Sequence, residues 1–273
     1  MPTIETSDGT QLYYKDWGSG PPCLFSLGWP LNADMWEYQT PYLASQGFRC
    51  IAYDRRGFGR SSQPWDGYDY DTFADDLAAL IDRLGLTGVT LVGFSMGGGE
   101  VARYLARHGT DRIAKAVLIS AVTPFLLKTP DHPKGADKGV FDTIIAGLND
   151  DRPHFLANFA KAFYGVGLIS KPVSTETLQW SLNLAMQASP KGTIDCVRAF
   201  GQTDFRPDMR AFTVPTLIVH GDADATVPID VTARVAVQAI PRARLIEYAG
   251  APHGLFVTEK DRLNGDLLDF FRS

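Results

Sequence analysis

The chain has 273 residues, of which 45% are hydrophobic and 21% charged, which fits one large globular domain with a sizeable core. Twenty-six Lys and Arg stand against 31 Asp and Glu, a formal net charge of −5, and no basic run is present to neutralise a row of phosphates, so nucleic acid is not an expected partner. The polar start, Met1 to Thr10, has no signal-peptide pattern, no apolar stretch spans a bilayer, and Cys23, Cys50 and Cys196 lie too far apart for a disulfide framework or a zinc cluster. The expectation is a cytoplasmic protein that does not enter membranes.

In chain order, short apolar runs alternate with helical patterns. Gln11 to Lys15 and Cys23 to Leu27 read as opening strands, and Phe48 to Tyr53, Val89 to Val92, Ala116 to Ile119, Thr216 to His220 and Leu245 to Tyr248 as later ones. Most are continuous apolar runs, as strands covered on both faces require. Between them Phe73, Leu77, Leu80, Ile81 and Leu84 recur at helical spacing, with Asp71 placed to cap that helix, and Leu263, Leu267, Phe270 and Phe271 repeat the pattern at the C-terminus.

The alternation breaks between Pro124 and Pro207, where short helices rich in Phe replace strands. This predicts a core domain over 1–123 and 208–273, with 124–207 inserted as a helical lid over the carboxyl edge of the sheet. The class is therefore α/β: a mostly parallel sheet of about eight strands, helices on both faces, and a lid. Phe125, Phe141, Phe155, Phe159, Phe163 and Phe200 are the lid aromatics available to line a pocket.

Gly93-Phe94-Ser95-Met96-Gly97 is a Gly-x-Ser-x-Gly pattern, and its context gives it meaning. It follows a predicted strand directly and opens a predicted helix containing Glu100, Val101, Tyr104 and Leu105. Such a sharp turn needs residues without a Cβ around the serine and holds its hydroxyl above the sheet, in front of a helix amino terminus.

A serine hydroxyl needs a base, and histidine is the usual one. Of the five histidines only His220 and His253 follow the lid. His253 stands on a loop past the last strand and is the expected base, whereas His220 ends a buried strand and reads as a core or turn residue. The carboxylate that would orient the base belongs on the loop after Thr216 to His220. Asp224 at its tip is the first choice, and Asp222, placed to satisfy turn amides, the second.

Gly28-Trp29-Pro30, the tract from Asp54 to Ser61, the elbow continued by Gly98, Gly99 and Glu100, and Gln202-Thr203-Asp204-Phe205 together resemble the bacterial arylesterases and cofactor-free haloperoxidases (perhydrolases) over nearly the whole length. The resemblance implies an oxyanion hole made by the backbone N–H groups of Trp29 and Met96, no metal or organic cofactor, and a homo-oligomer, a trimer or hexamer. In that family proline at the position of Pro30 goes with use of hydrogen peroxide beside water as the acyl acceptor. At one position the chain departs from the pattern: Leu27 stands where histidine is usual, which removes an imidazole from the loop but leaves the backbone donors.

The sequence reading is thus a serine ester hydrolase acting on small acyl esters through an acyl-enzyme, with perhydrolase activity. Pro30, Phe94, Phe125, Phe163, Phe200 and Val227, beside Trp29, are the expected pocket. A lactam or amide hydrolase on the same triad is the alternative, and a slow ligand receptor a second. A haloalkane dehalogenase would need a carboxylate at position 95.

Overall fold

A computed structural model describes residues 1–273. Eight strands form one sheet: β1 (Thr3–Glu5), β2 (Gln11–Trp17), β3 (Pro22–Ser26), β4 (Arg49–Tyr53), β5 (Val89–Phe94), β6 (Ile113–Ile119), β7 (Thr216–Gly221) and β8 (Ala243–Tyr248). Their spatial order is β1-β2-β4-β3-β5-β6-β7-β8. β1 and β4 each pair antiparallel with β2, and every other neighbouring pair is parallel. β5 and β7 are buried along their whole length, as their continuous apolar runs require.

The helices between strands are α1 (Thr40–Ser45), α2 (Tyr70–Arg83), α3 (Met96–His108) and α7 (Ala233–Ala239), with α8 (Leu255–Thr258) and α9 (Lys260–Arg272) closing the chain. The apolar stripes of α2 and α9 are buried as their spacing predicts. The cap of α2 differs from expectation. Asp69, in extended backbone, accepts the Thr72 N–H at 3.0 Å. Asp71 instead lies inside the first turn, where its carboxylate pairs with Arg103 and Arg107 on α3.

Between β6 and β7 come α4 (Lys138–Phe163), α5 (Thr175–Met186) and α6 (Pro190–Gln202). α4 is interrupted at Asp151, whose backbone is not helical, and Asp151 Oδ1 caps the second half through the His154 N–H at 3.0 Å, two residues before Pro153 would otherwise have broken the ladder from within. Phe141, Leu148, Leu156, Phe163 and Leu184 of these helices join the same apolar core as the sheet. No helix is long and apolar enough to cross a membrane.

The order of strands reverses around β3, which lies between β4 and β5. In an open parallel sheet the crevice at such a switch point is where a site is built. The loop after β3 carries Trp29, and the turn after β5 carries Ser95.

Candidate active site

Ser95 sits between β5 and α3 with φ 54° and ψ −118°, a conformation that L residues rarely adopt and that persists only where the surroundings enforce it. The Ser95 N–H donates to Ile119 O at 2.9 Å, and its carbonyl accepts from Gly98 and Val122 at 3.0 and 3.2 Å. The flanking glycines make the turn possible. A Cβ on Gly97 would lie 2.6 Å from Ser26 Oγ and 2.9 Å from Leu27 O, so the elbow abuts the end of β3 with no room for a methyl group.

His253 reaches Ser95 from the loop after β8. Its Nε2 lies 3.0 Å from Ser95 Oγ and its Nδ1 2.6 Å from Asp224 Oδ2. The pairing assigns the Nδ1–H tautomer, leaving the Nε2 lone pair toward the hydroxyl. The Gly254 N–H donates to Phe163 O at 2.7 Å, tying this loop to α4. Asp224 Oδ1 accepts from the Thr226 and Val227 amides at 2.9 and 2.8 Å. Burial pushes the Asp224 carboxyl up, but the charge on His253 and hydrogen bonds from His220 and His253 outweigh it and hold the group well below the usual carboxylate range. Asp222, the second choice, turns away and accepts the Gly250 N–H at 2.6 Å.

Trp29 follows β3 and Met96 follows Ser95, on the two connections that meet at the switch point, and neither N–H has an acceptor among the turn, loop and cap hydrogen bonds. Gly28 allows the approach, since a Cβ there would run into the Phe94 ring. The tract after β4 supports the same loop from below. Arg55 donates to Leu27 O at 2.8 Å and to Glu100 Oε2 at 2.8 Å, and Asp54 accepts the Ala33 N–H at 2.7 Å. The Trp29 indole N–H donates to Thr193 O at 2.9 Å, which joins the loop to α6.

Ser95 and His253 open into an apolar cavity of about 170 Å³. Phe200 and Val227 line it as the sequence suggests, with Trp29, Phe141, Ile144 and Phe159; Val122, Leu126 and Val231 are lining residues that sequence reasoning did not find. Four expected wall residues stand elsewhere. Phe94 and Phe163 hold the His253 imidazole between them, with ring centroids 5.0 and 4.9 Å away. Pro30, like Phe163, lines a smaller neighbouring cavity with Leu156, Ala160 and Leu182. Phe125 packs against His132 and under the Arg206 guanidinium. Period-two and helical patterns tell which residues are buried, and the orientation of lid helices, set by packing, decides which of them meet the cavity.

The family model described as the alpha/beta hydrolase fold matches residues 21–260. The chain is 46% identical over 272 residues to the non-heme chloroperoxidase of Kitasatospora aureofaciens, covering 99% of each. The chain belongs to the alpha/beta hydrolase fold family, alongside its non-heme haloperoxidases. Another alpha/beta hydrolase relative is the bifunctional esterase/perhydrolase of Acinetobacter calcoaceticus, 43% identical with full coverage of both chains. Among solved structures the bromoperoxidase from Bacillus anthracis matches with a TM-score of 0.96 and 47% identity over 100% of both chains. These likenesses bear out the expected fold and family of the chain as an alpha/beta hydrolase.

The sequence reading sets His220 aside as a core or turn residue and does not anticipate its contact with Asp224. His220, fully buried at the end of β7, has its Nε2 3.2 Å from Asp224 Oδ2 and 2.8 Å from Val227 O. Its neighbour in sequence, a strand terminus, gave no hint of that contact. Of the remaining histidines, His108 meets Asp75 at 2.8 Å, His154 meets Asn158 at 2.8 Å, and the His132 ring packs on Phe125 with no partner for its Nε2.

Proposed function

We propose that the chain is a serine ester hydrolase for small acyl esters that also transfers the acyl group to hydrogen peroxide. The observation that supports this is the chain of contacts Ser95–His253–Asp224, at 3.0 and 2.6 Å, opening into an apolar cavity. Ser95 Oγ attacks the ester carbonyl while His253 Nε2 takes its proton, and Asp224 holds the imidazole and balances the imidazolium. The oxyanion is received by the free Trp29 and Met96 N–H groups. The carbon–oxygen bond then breaks, and the alcohol or phenol leaves with the proton from His253.

Water or peroxide next gives its proton to His253 and attacks the acyl-enzyme, and Ser95 is released with the acid or the peracid. The peracid oxidises halides without a metal. Phe200, Val227 and Trp29 form the apolar walls for acyl and aryl groups, while Phe94 and Phe163 keep the base in line. The segment 124–207 serves as the lid and 1–123 with 208–273 as the core domain, a division supported by the insertion of α4 to α6 between two adjacent strands. A cytoplasmic location is supported by three buried free thiols. A homo-oligomer, trimer or hexamer, is supported by the exposed apolar pair Leu168 and Ile169.

The test is release of p-nitrophenol from p-nitrophenyl acetate by the protein and by Ser95→Ala, each with a chelator present, followed by halide oxidation on adding peroxide and acetate ester. Rapid turnover by the parent alone is the expected result. Equal slow rates from both proteins would remove the serine mechanism.

A further inference from the structure

His220 is a buried imidazole that the mechanism above does not use. It lies at the last turn of β7, four residues before Asp224, with no solvent exposure. Its Nε2 is 2.8 Å from the Val227 carbonyl oxygen. A carbonyl oxygen only accepts, so Nε2 carries the hydrogen, and the same nitrogen lies 3.2 Å from Asp224 Oδ2, close enough for its N–H to face that oxygen as well. Nδ1 has no partner.

Asp224 then accepts three hydrogen bonds and has the His220 N–H group beside its second oxygen. Oδ1 takes the Thr226 and Val227 amides, and Oδ2 takes His253 Nδ1–H with His220 Nε2 3.2 Å away. An ionised carboxylate offers about four lone-pair sites, so this one has three filled and the fourth faced by His220, which limits its turning about the terminal torsion. Val227 closes the ring: its N–H holds Oδ1, its carbonyl receives His220, and the residue lines the cavity. One imidazole therefore ties the acid, its loop and a wall of the pocket to the end of the sheet.

We propose that His220 is a positioning residue that fixes Asp224 Oδ2 for His253, an inference that rests on the esterase reading. Without its N–H, Oδ2 keeps one donor, the Val227 carbonyl loses its partner, and the carboxylate can turn off the His253 axis. Outer partners that orient metal-ligating histidines commonly carry 10- to 100-fold in activity, and a loss of roughly that order is expected by analogy here, in kcat rather than KM.

The test compares His220→Gln with His220→Asn. The Gln amide reaches the place of Nε2 and can donate there, whereas the Asn amide reaches only the place of Nδ1. With p-nitrophenyl acetate, and with folded fractions matched by near-ultraviolet circular dichroism, Gln should keep most of kcat and Asn should lose roughly 10- to 100-fold with KM little changed. In parallel, the low-field proton resonance of His253 Nδ1–H should persist in Gln and broaden or move upfield in Asn. Equal losses in the two variants, a change confined to KM, or an unmoved resonance in Asn would each overturn the proposal. If the parent shows no Ser95-dependent turnover, the esterase reading falls on its own, and the resonance alone decides whether His220 holds Asp224.

Discussion

The Arg55 guanidinium donates to the carbonyl oxygen of Leu27 at 2.8 Å from inside the core. Leu27 is the position at which an imidazole is usual in the resembling family, and this bond is one of those that hold the loop here. The same guanidinium meets Glu100 Oε2 on α3 at 2.7 Å and Ser26 Oγ at 3.2 Å, with both charged side chains fully buried. One ion pair thus links the end of β3, just before Trp29, to the helix that begins at Met96.

Replacing Arg55 by Met would leave Glu100 buried without its partner. Breaking a buried pair from one side costs about 3–5 kcal/mol, so the urea midpoint of Arg55→Met should fall steeply. Under conditions where the variant remains folded, kcat should drop more than KM rises, because the Leu27 carbonyl is released and the Trp29 amide with it. A variant with parental stability and kcat would show that the loop is held by something else.

Asp224 sets a dependence of stability on pH. Its folded carboxyl is held below the range of the unfolded chain by His253 and by hydrogen bonds, against burial. Stability from an acid depressed in this way is fully present above its unfolded value, about pH 4, and drains as pH falls toward the folded one. The difference in unfolding free energy between the parent and Asp224→Asn should therefore shrink as pH is lowered from about 5. Denaturant titrations of both proteins at successive acid pH values measure it, and a difference that widened on acidification would have the wrong sign.

Sequence patterns carried most of the architecture, and the exceptions have physical causes. The runs at 23–27, 89–92 and 216–220 become buried strands because they are short and mainly apolar, with only Ser26, Thr90, Thr216 and His220 as polar members. β1 was not anticipated: it is three residues long, at the sheet edge, with only Ile4 buried, too short for a period to register. Ser95, Asp224 and His253 were legible because a strand-to-helix elbow and the order of loops in this fold restrict the choice. His220 was not, since nothing in its own segment distinguishes a strand end from a second donor to Asp224. The pocket was the least legible part. Phe163 and Phe200 look alike in sequence, yet α4 turns one against His253 and α6 turns the other into the cavity.

Val231 offers a way to test the cavity itself, since it lines the wall on the chain segment after Asp224 and takes no part in the hydrogen bonds around it. Val231→Phe should fill part of the 170 Å³ space. One methylene in an apolar pocket is worth about 1–3 kcal/mol and phenylalanine adds four carbons to valine, so naphthyl esters should lose at least roughly 10- to 200-fold in kcat/KM. Acetate esters of small alcohols should change little. Parallel losses for large and small substrates would mean that acyl groups bind elsewhere.

Pro30 follows Trp29 directly and lines the neighbouring cavity, away from the space where Ser95 and His253 meet. Whatever it contributes to the choice between water and peroxide therefore passes through the backbone of Trp29, whose N–H is one of the two free amides. Proline fixes its own φ and restricts the residue before it, so it holds Trp29 in one arrangement, which leucine would relax. The side chain of Trp29 stays pinned by its bond to Thr193 in either case, so the cavity wall should persist. Pro30→Leu is thus expected to lower the ratio of perhydrolysis to hydrolysis severalfold, with p-nitrophenyl acetate hydrolysis reduced much less. The ratio is measured by peracid formed against acid formed at fixed peroxide. An unchanged ratio would separate the proline from acceptor choice and leave it a stiffener of the loop.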